Sequence, residues 1–435
     1  MPITSGSRCS WMRASWAGSL TWGSLSACAS MKATMEHFTN PIADFFKSTN
    51  KAVIYIEFSI FGSLLVFVAV FLYFFYFKSK KIEPEEEHHK EKNQEKILPI
   101  KTEKKSTKSI NKYLDLHLHL DGAITKEIAI KLAKIQNIEL PTNNEEELEN
   151  LLSVRPDCES LNDFLKCFAL PLSLMQTPLG LSEAIKLVAN NIQSHGVIYA
   201  EFRFAPQLHK KGGMTQEQAV RAALEGIKKT SLKVNLILCF MRGDDNQAQN
   251  EETLRLARKY LVPDGGVVAV DLAGAEAIYK TANYRDLFRR VREYGIPFTI
   301  HAGEADGPQS VRDAISFGAK RIGHGVRAFE DPEVVELIRE RGITLEMCPT
   351  SNKQTCALKN MADFPLINFL NKGIKVTLNT DDMGISRTNI IEEYNYIETN
   401  FGLNYEQKKT MILNSINSAF TTSPVKRQLL SKFGF

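Results

Sequence analysis

YLDLHLHLDGA, residues 113–123, alternates leucine with aspartate and histidine at a period of two. Successive side chains of a β-strand point to opposite faces, so Leu114, Leu116, Leu118 and Leu120 make one wholly apolar face. Asp115, His117, His119 and Asp121 share the other, where two imidazoles two residues apart are close enough to chelate one ion. Further short apolar runs follow at 197–204, 233–240, 267–273, 297–301, 320–324, 342–348 and 374–380. Helix-like segments separate them, among them 215–230, 250–260, 283–294, 308–317 and 331–340. Asp331 followed by Pro332 reads as a capped helix start. The pattern is a βα repeat, and eight such strands predict an α/β fold, a (β/α)8 TIM barrel working at its C-terminal strand ends. The helix-rich stretch 125–195, inserted after the first strand, is the natural place for a gate.

The remaining polar signals gather at those strand ends. The fifth run ends in His301-Ala302-Gly303-Glu304, the sixth in Gly323-His324-Gly325 and the eighth in Asn379-Thr380-Asp381-Asp382. Four of the nine histidines thus fall at strand ends with carboxylates beside them. A lone H-x-H is weak evidence, but random placement in a core would not concentrate imidazoles in this way. Arg203 and Glu201, facing inward from the second strand, read as a structural ion pair. Cys239 and Cys348 read as buried core thiols.

Upstream the composition changes. The whole chain has 435 residues, 43% hydrophobic and 24% charged, with a net charge of +4, which excludes a polyelectrolyte and gives nucleic-acid binding no support. Residues 1–52 form a tail whose first 34 positions lack Asp and Glu and hold all three tryptophans; Met31 and Met35 offer later starts, so an over-extended start is one reading. Residues 53–77 carry one charge, Glu57, and form a stretch long enough to cross a hydrocarbon core as a transmembrane helix. Residues 78–112 are a charged linker, in which His88 and His89 read as solvated. Lys78, Lys80 and Lys81 follow the span, and only Lys47 and Lys51 precede it closely. The positive-inside rule therefore predicts a single-pass membrane anchor with the globular body, 113–435, on the cytoplasmic side. That body is mildly acidic behind a basic leader.

HLHLDGA (117–123), DLAGAE (271–276), HAGE (301–304), GHG (323–325), MCPTSN (347–352) and NTDD (379–382) occur in order and in strand context. Together they resemble the adenosine deaminase family of metal-dependent barrels over roughly residues 113–430. The resemblance implies one zinc ion per chain held by His117, His119, His301 and Asp381, supplying an activated water. It implies that Glu304 is the acid/base that protonates purine N1 and that His324 orients the nucleophile, with Asp381 also able to take its proton. Substrate contacts are expected from Asp382 to N7, from the Gly274 amide to N3, from Asp121 to the ribose and from His119. Phe164, Leu165 and Phe168 match an apolar gate. The implied reaction is zinc-dependent hydrolytic deamination of adenosine and 2′-deoxyadenosine to inosine or deoxyinosine and ammonia.

Adenine and 5′-methylthioadenosine are the alternative substrates; related adenine deaminases tend to carry glutamate at the position of Asp121, so the resemblance implies a nucleoside. Met383 stands where many members have proline after the aspartate pair. A two-metal amidohydrolase would need a bridging Lys or carboxylate at the fourth strand end, which reads Asp271-Leu272-Ala273-Gly274. A membrane-tethered nucleoside-binding pseudoenzyme would lack a ligand or the acid, and none is missing. The oligomeric state is left open.

Overall fold

The computed structural model describes residues 110–434. The expected span at 53–77, the tail before it and the linker up to residue 109 lie outside the described residues. Eight strands follow in order: β1 (Tyr113–His119), β2 (Val197–Phe204), β3 (Lys233–Met241), β4 (Val267–Ala273), β5 (His301–Ala302), β6 (Arg321–His324), β7 (Thr344–Met347) and β8 (Lys375–Leu378). All pairings are parallel, β1 to β4 in one run and β5 to β8 in a second. Single bridges, Val270 with Phe298 and Leu118 with Asp381, join the two runs at both seams and close the predicted barrel.

Where the strands differ from expectation, the backbone gives the reason. β5 is two residues long rather than the expected 297–301. Pro297 has no N–H for a ladder, and the stretch touches β4 only through Val270 N to Pro297 O and Thr299 N to Val270 O. β7 stops at Met347 because Cys348 already leads into the helix Pro349–Gln354. Along β1 the register against β2 slips between Asp115 and Leu118, an irregularity that brackets His117.

All four leucines of the 113–120 run are fully buried, as the alternation requires. Between the strands lie amphipathic helices with local start signals. Thr215 and Gln218 form a capping box for Gln216–Ile227, and the Asp331 carboxylate accepts from Glu333 N ahead of Pro332–Arg341. The insert between β1 and β2 is rich in short helices and ends in Pro178–Ser194, which buries Leu181, Ala184, Ile185 and Val188 at i, i+3, i+4, i+7. Among the described residues no single helix is long and apolar enough to cross a membrane; one bent pair, Leu161–Ser173 with Pro178–Ser194, passes by length and composition.

The barrel interior departs from the usual filling of branched aliphatics. Arg203, Arg321, Glu201, Asp271 and Glu346 are all essentially inaccessible to solvent there. Arg203 and Glu201 do not pair with each other, contrary to the sequence reading. Arg203 contacts Asp271 and Glu346, whereas Glu201 pairs with Arg321. Two residues apart on one strand, they lean toward different neighbours around the barrel wall, where opposite charges stand closer. Cys239 and Cys348 are buried, and all five cysteines of the described residues are free.

Candidate active site

Strand ends deliver four ligand-type atoms to one point. His117 and His119 come from β1, His301 from β5 and Asp381 from the turn after β8. His301 Nε2 lies 3.1 Å from Nε2 of both His117 and His119. Asp381 Oδ1 lies 3.1 Å from His117 Nε2 and 3.4 Å from His119 Nε2. What these atoms carry decides what they are for. His117 Nδ1 lies 2.8 Å from Glu346 Oε2, so that nitrogen bears the proton and Nε2 presents a lone pair. His301 Nδ1 lies 2.9 Å from Asp271 Oδ2, off the straight N–H direction but within ion-pair distance.

Lone pairs and a carboxylate oxygen would therefore face one another at about 3 Å, and Asp381 Oδ1 is buried with no hydrogen-bond partner. Buried acceptors arranged like this repel unless a cation stands among them. Although burial and Arg203 oppose it, Asp381 and Glu346 raise the His117 pKa, so the surroundings favour positive charge at that point. The residues present fit a divalent metal ion, and three imidazoles with one carboxylate suit a borderline-soft cation.

His324 also comes within 4.8 Å of the ligand-type atoms of His117, His301 and Asp381, but its chemistry differs. The amide Nδ2 of Asn352 sits 3.0 Å from His324 Nδ1 and donates to it, which leaves the proton on Nε2. That N–H faces Glu304 Oε2 at 3.5 Å and Asp381 Oδ2 at 3.7 Å. Burial, above all, holds the His324 pKa well below the ordinary value, so the ring is neutral and a donor. Burial, then the charges of Asp381 and Glu276, push the Glu304 carboxyl well above the usual range. A carboxylic acid near neutral pH, 4% exposed, is what proton donation to a ring nitrogen requires. Burial opposes the Asp381 charge, yet His117 outweighs it and keeps that carboxylate ionised.

His119, Gly274, His301, Glu304, His324, Asp381 and Asp382 share the wall of one cavity with Leu161, Phe164, Leu165 and Phe168. Its volume is about 40 Å³, room for a few waters and too little for a nucleoside. Gly274 has φ +100, so its turn is open only to a residue without Cβ. Asp382 Oδ1 is buried without a partner, and burial together with Asp381 raises its carboxyl pKa well above the ordinary value. Phe164 and Phe168 pack edge to face, 6.2 Å between centroids.

Asp121 is the exception among the predicted contacts: it does not line this cavity. Its carboxyl is turned into the 120–123 bend beside its own amide and that of Gly122, and burial pushes its pKa up to about 6. A larger surface cleft of about 470 Å³, bounded by Asn150 and Cys167, lies on the insert and contains none of the converging groups.

Sequence reasoning missed the groups that hold the site from behind. Glu276, the last residue of DLAGAE, accepts from the backbone N–H of Gly303, Glu304, Ala305 and Asp306 and from Ser310 Oγ. One buried carboxylate thereby shapes the loop that carries Glu304. Thr355 Oγ1 donates to Glu304 Oε1 at 3.1 Å, and Asn352 sets the His324 tautomer. A buried glutamate inside an otherwise small-residue motif was the available signal for Glu276; nothing local marked Asn352 or Thr355.

The profile of a family described as Adenosine deaminase matches residues 113–434. A protein named Adenosine deaminase from Haemophilus ducreyi is 47% identical over 324 residues, covering 73% of this chain and 94% of that protein. One from Clostridium botulinum is 39% identical over 321 residues, covering 73% and 96%. Among solved structures, an adenine deaminase from Arthrobacter aurescens superposes with a TM-score of 0.68 at 26% identity, covering 75% of this chain and 98% of that one.

Proposed function

The chain belongs to the adenosine deaminase family, and we propose that it catalyses the hydrolytic deamination of adenosine, and of 2′-deoxyadenosine, to inosine or deoxyinosine and ammonia. The observation that carries this reading is the convergence of His117, His119, His301 and Asp381 beside a glutamic acid that burial keeps protonated. The four residues would hold one zinc ion, whose chemistry when bound is to bring the pKa of a water near neutrality.

The protein's own residues do the rest. Glu304 donates its proton to N1, which makes C6 electrophilic. His324 offers Nε2–H to the attacking oxygen, and the Asp381 carboxylate accepts a hydrogen bond from it. As the oxygen adds to C6, the water proton passes to the carboxylates at the site and on to the exocyclic amine. The C6–N bond then breaks, ammonia leaves, and the remaining proton of the added hydroxyl returns to Glu304 as the C6 carbonyl forms. Asp382, held protonated, donates to N7, and the Gly274 amide donates to N3. Phe164, Leu165 and Phe168 part to admit the nucleoside and close again, shutting the reacting centre and its one nucleophilic water off from bulk solvent. Adenine is the second substrate to compare, because the adenine deaminase shares the fold; the two curated relatives, at 39% and 47% identity, favour the nucleoside.

Ultraviolet absorbance with adenosine, 2′-deoxyadenosine, adenine and 5′-methylthioadenosine tests the reading, with metal analysis of the purified protein. Adenosine is expected to turn over fastest, and Glu304→Gln to lower kcat by about 10² to 10⁴-fold. Full activity in Glu304→Gln, or no aminopurine turnover by metal-replete protein, overturns it.

The same proposal includes a membrane anchor at residues 53–77 with the barrel on the cytoplasmic side. A single charge in 25 apolar positions and the lysines that follow support it. The full chain should then sediment with membranes after lysis and require detergent for release; recovery in the high-speed supernatant rejects the anchor.

A further inference from the structure

We infer that Arg203 is a positioning residue for the metal centre, a single guanidinium that sets the spacing and ring orientation of His117 and His301 through Glu346 and Asp271. The inference rests on the metal reading above and concerns residues that touch neither substrate nor ion.

Its basis is the sharing of two oxygen atoms. Arg203 Nη1 lies 2.9 Å from Asp271 Oδ2, and that same oxygen lies 2.9 Å from His301 Nδ1. Arg203 Nη2 lies 2.8 Å from Glu346 Oε2, and that same oxygen accepts from His117 Nδ1 at 2.8 Å. The two histidines come from β1 and β5, the two carboxylates from β4 and β7, and the guanidinium from β2. Five strands are thus tied by one rigid planar group. Because the fork fixes the separation of its two nitrogens, it also limits how far the carboxylates, and the rings they hold, can drift apart. Arg203 Nη2 donates as well to Leu116 O, the carbonyl just before His117 in the chain. All four charged or ring partners are buried, so water cannot substitute for any of them.

Arg321 shows what a purely structural arginine in the same interior looks like. It is equally buried, contacts Glu346 through Oε1 and Glu201 through Oε2, and also donates to Leu116 O. Neither of those carboxylate oxygens touches a metal-ligand histidine: Glu346 Oε1 otherwise accepts from Thr299, and Glu201 is engaged by Tyr199 and Phe420 N. A merely structural role for Arg203 therefore predicts that both arginines respond alike, and the clamp predicts that they do not.

The test uses full-length protein stripped of metal, with Zn2+ affinity read by competition against a chromophoric chelator and Co2+ binding read by visible absorption. Thermal melting of the metal-free forms serves as the stability control. Lysine cannot reach both carboxylates, so Arg203→Lys should bind Zn2+ about 10 to 100-fold more weakly and show a shifted Co2+ band. Arg321→Lys should keep wild-type affinity and spectrum although it also melts lower. Equal losses in the two variants, or an unchanged Arg203→Lys, overturn the clamp. Should Arg203→Lys fail to accumulate folded, the isosteric Asp271→Asn decides: weaker Zn2+ binding supports the clamp and wild-type binding overturns it. If the unsubstituted protein binds neither ion, the metal reading itself fails, a result distinct from failure of the clamp.

Discussion

His324 and Asp381 both adopt φ of +60°, a conformation that side chains other than glycine rarely take. Each stands at a strand end where the backbone must turn while the side chain still points into the barrel mouth, and such strain collects at functional positions. Gly122 shows the converse: a Cβ there would lie 1.7 Å from Asp382 Oδ1, so the bend after β1 must be glycine for Asp382 to reach the cavity. Glu276 matters for another reason. Its partners lie 27 to 34 residues further on, in a stretch that only folding brings to it. Replacing it with Gln removes the charge and turns an N–H2 group toward amides that need an acceptor. Glu276→Gln should lower kcat by about 10 to 100-fold through misplacement of Glu304, with circular dichroism unchanged. Steady-state kinetics check this, and wild-type kcat would reject the role.

Among the elements, the insert and the helices behind the barrel carry separate duties. The short segments Leu161–Phe164 and Leu165–Phe168 line a cavity too small for a nucleoside, so the proposed binding requires them to move. The spacing of Phe164, Leu165 and Phe168 alone fits a helix core equally well, and their place on the cavity wall is what supports the proposed gate. The helix Ile390–Phe401 packs Glu393, fully buried, against the start of Pro349–Gln354. Its carboxyl accepts from Thr350 N at 3.1 Å and from Thr388 Oγ1 at 2.7 Å, yet burial pushes its pKa up to about 7. A folded-state pKa above the unfolded one means that stability is complete below the unfolded value, near 4.5, and is lost as pH rises through about 7. Fully charged, the group costs about 3 kcal/mol. Urea unfolding should therefore find Glu393→Gln close to wild type near pH 4.5 and more stable than wild type at about pH 8. An equal difference at both pH values would contradict the assignment.

For the whole molecule, the metal centre joins both halves of the barrel, since His117 and His119 belong to the run β1–β4, His301 to β5 and Asp381 to the closing turn. An ion bound there stabilises the folded chain over the unfolded one, by about 4 kcal/mol at a thousandfold excess over Kd. Removing it with a chelator should abolish deamination and lower Tm, and Zn2+ should restore both; an unchanged Tm would place the ion elsewhere. Much of this was legible in sequence because it is local. Period-two alternation in 113–120, the repeated strand and helix segments, and histidines and carboxylates within a few positions of several strand ends are properties of neighbouring residues, and they determined the barrel and where its polar groups gather; the roles of those groups came from the family resemblance. Tertiary structure alone decided the rest, because it depends on distances between residues far apart in the chain. Arg203 pairs with Asp271 and Glu346 rather than Glu201, and Glu276 cradles the loop of Glu304. The physical reason is the same each time: in a buried, low-dielectric interior every charge and N–H takes the partner that closure of the barrel brings within reach, and sequence separation has no bearing on that distance.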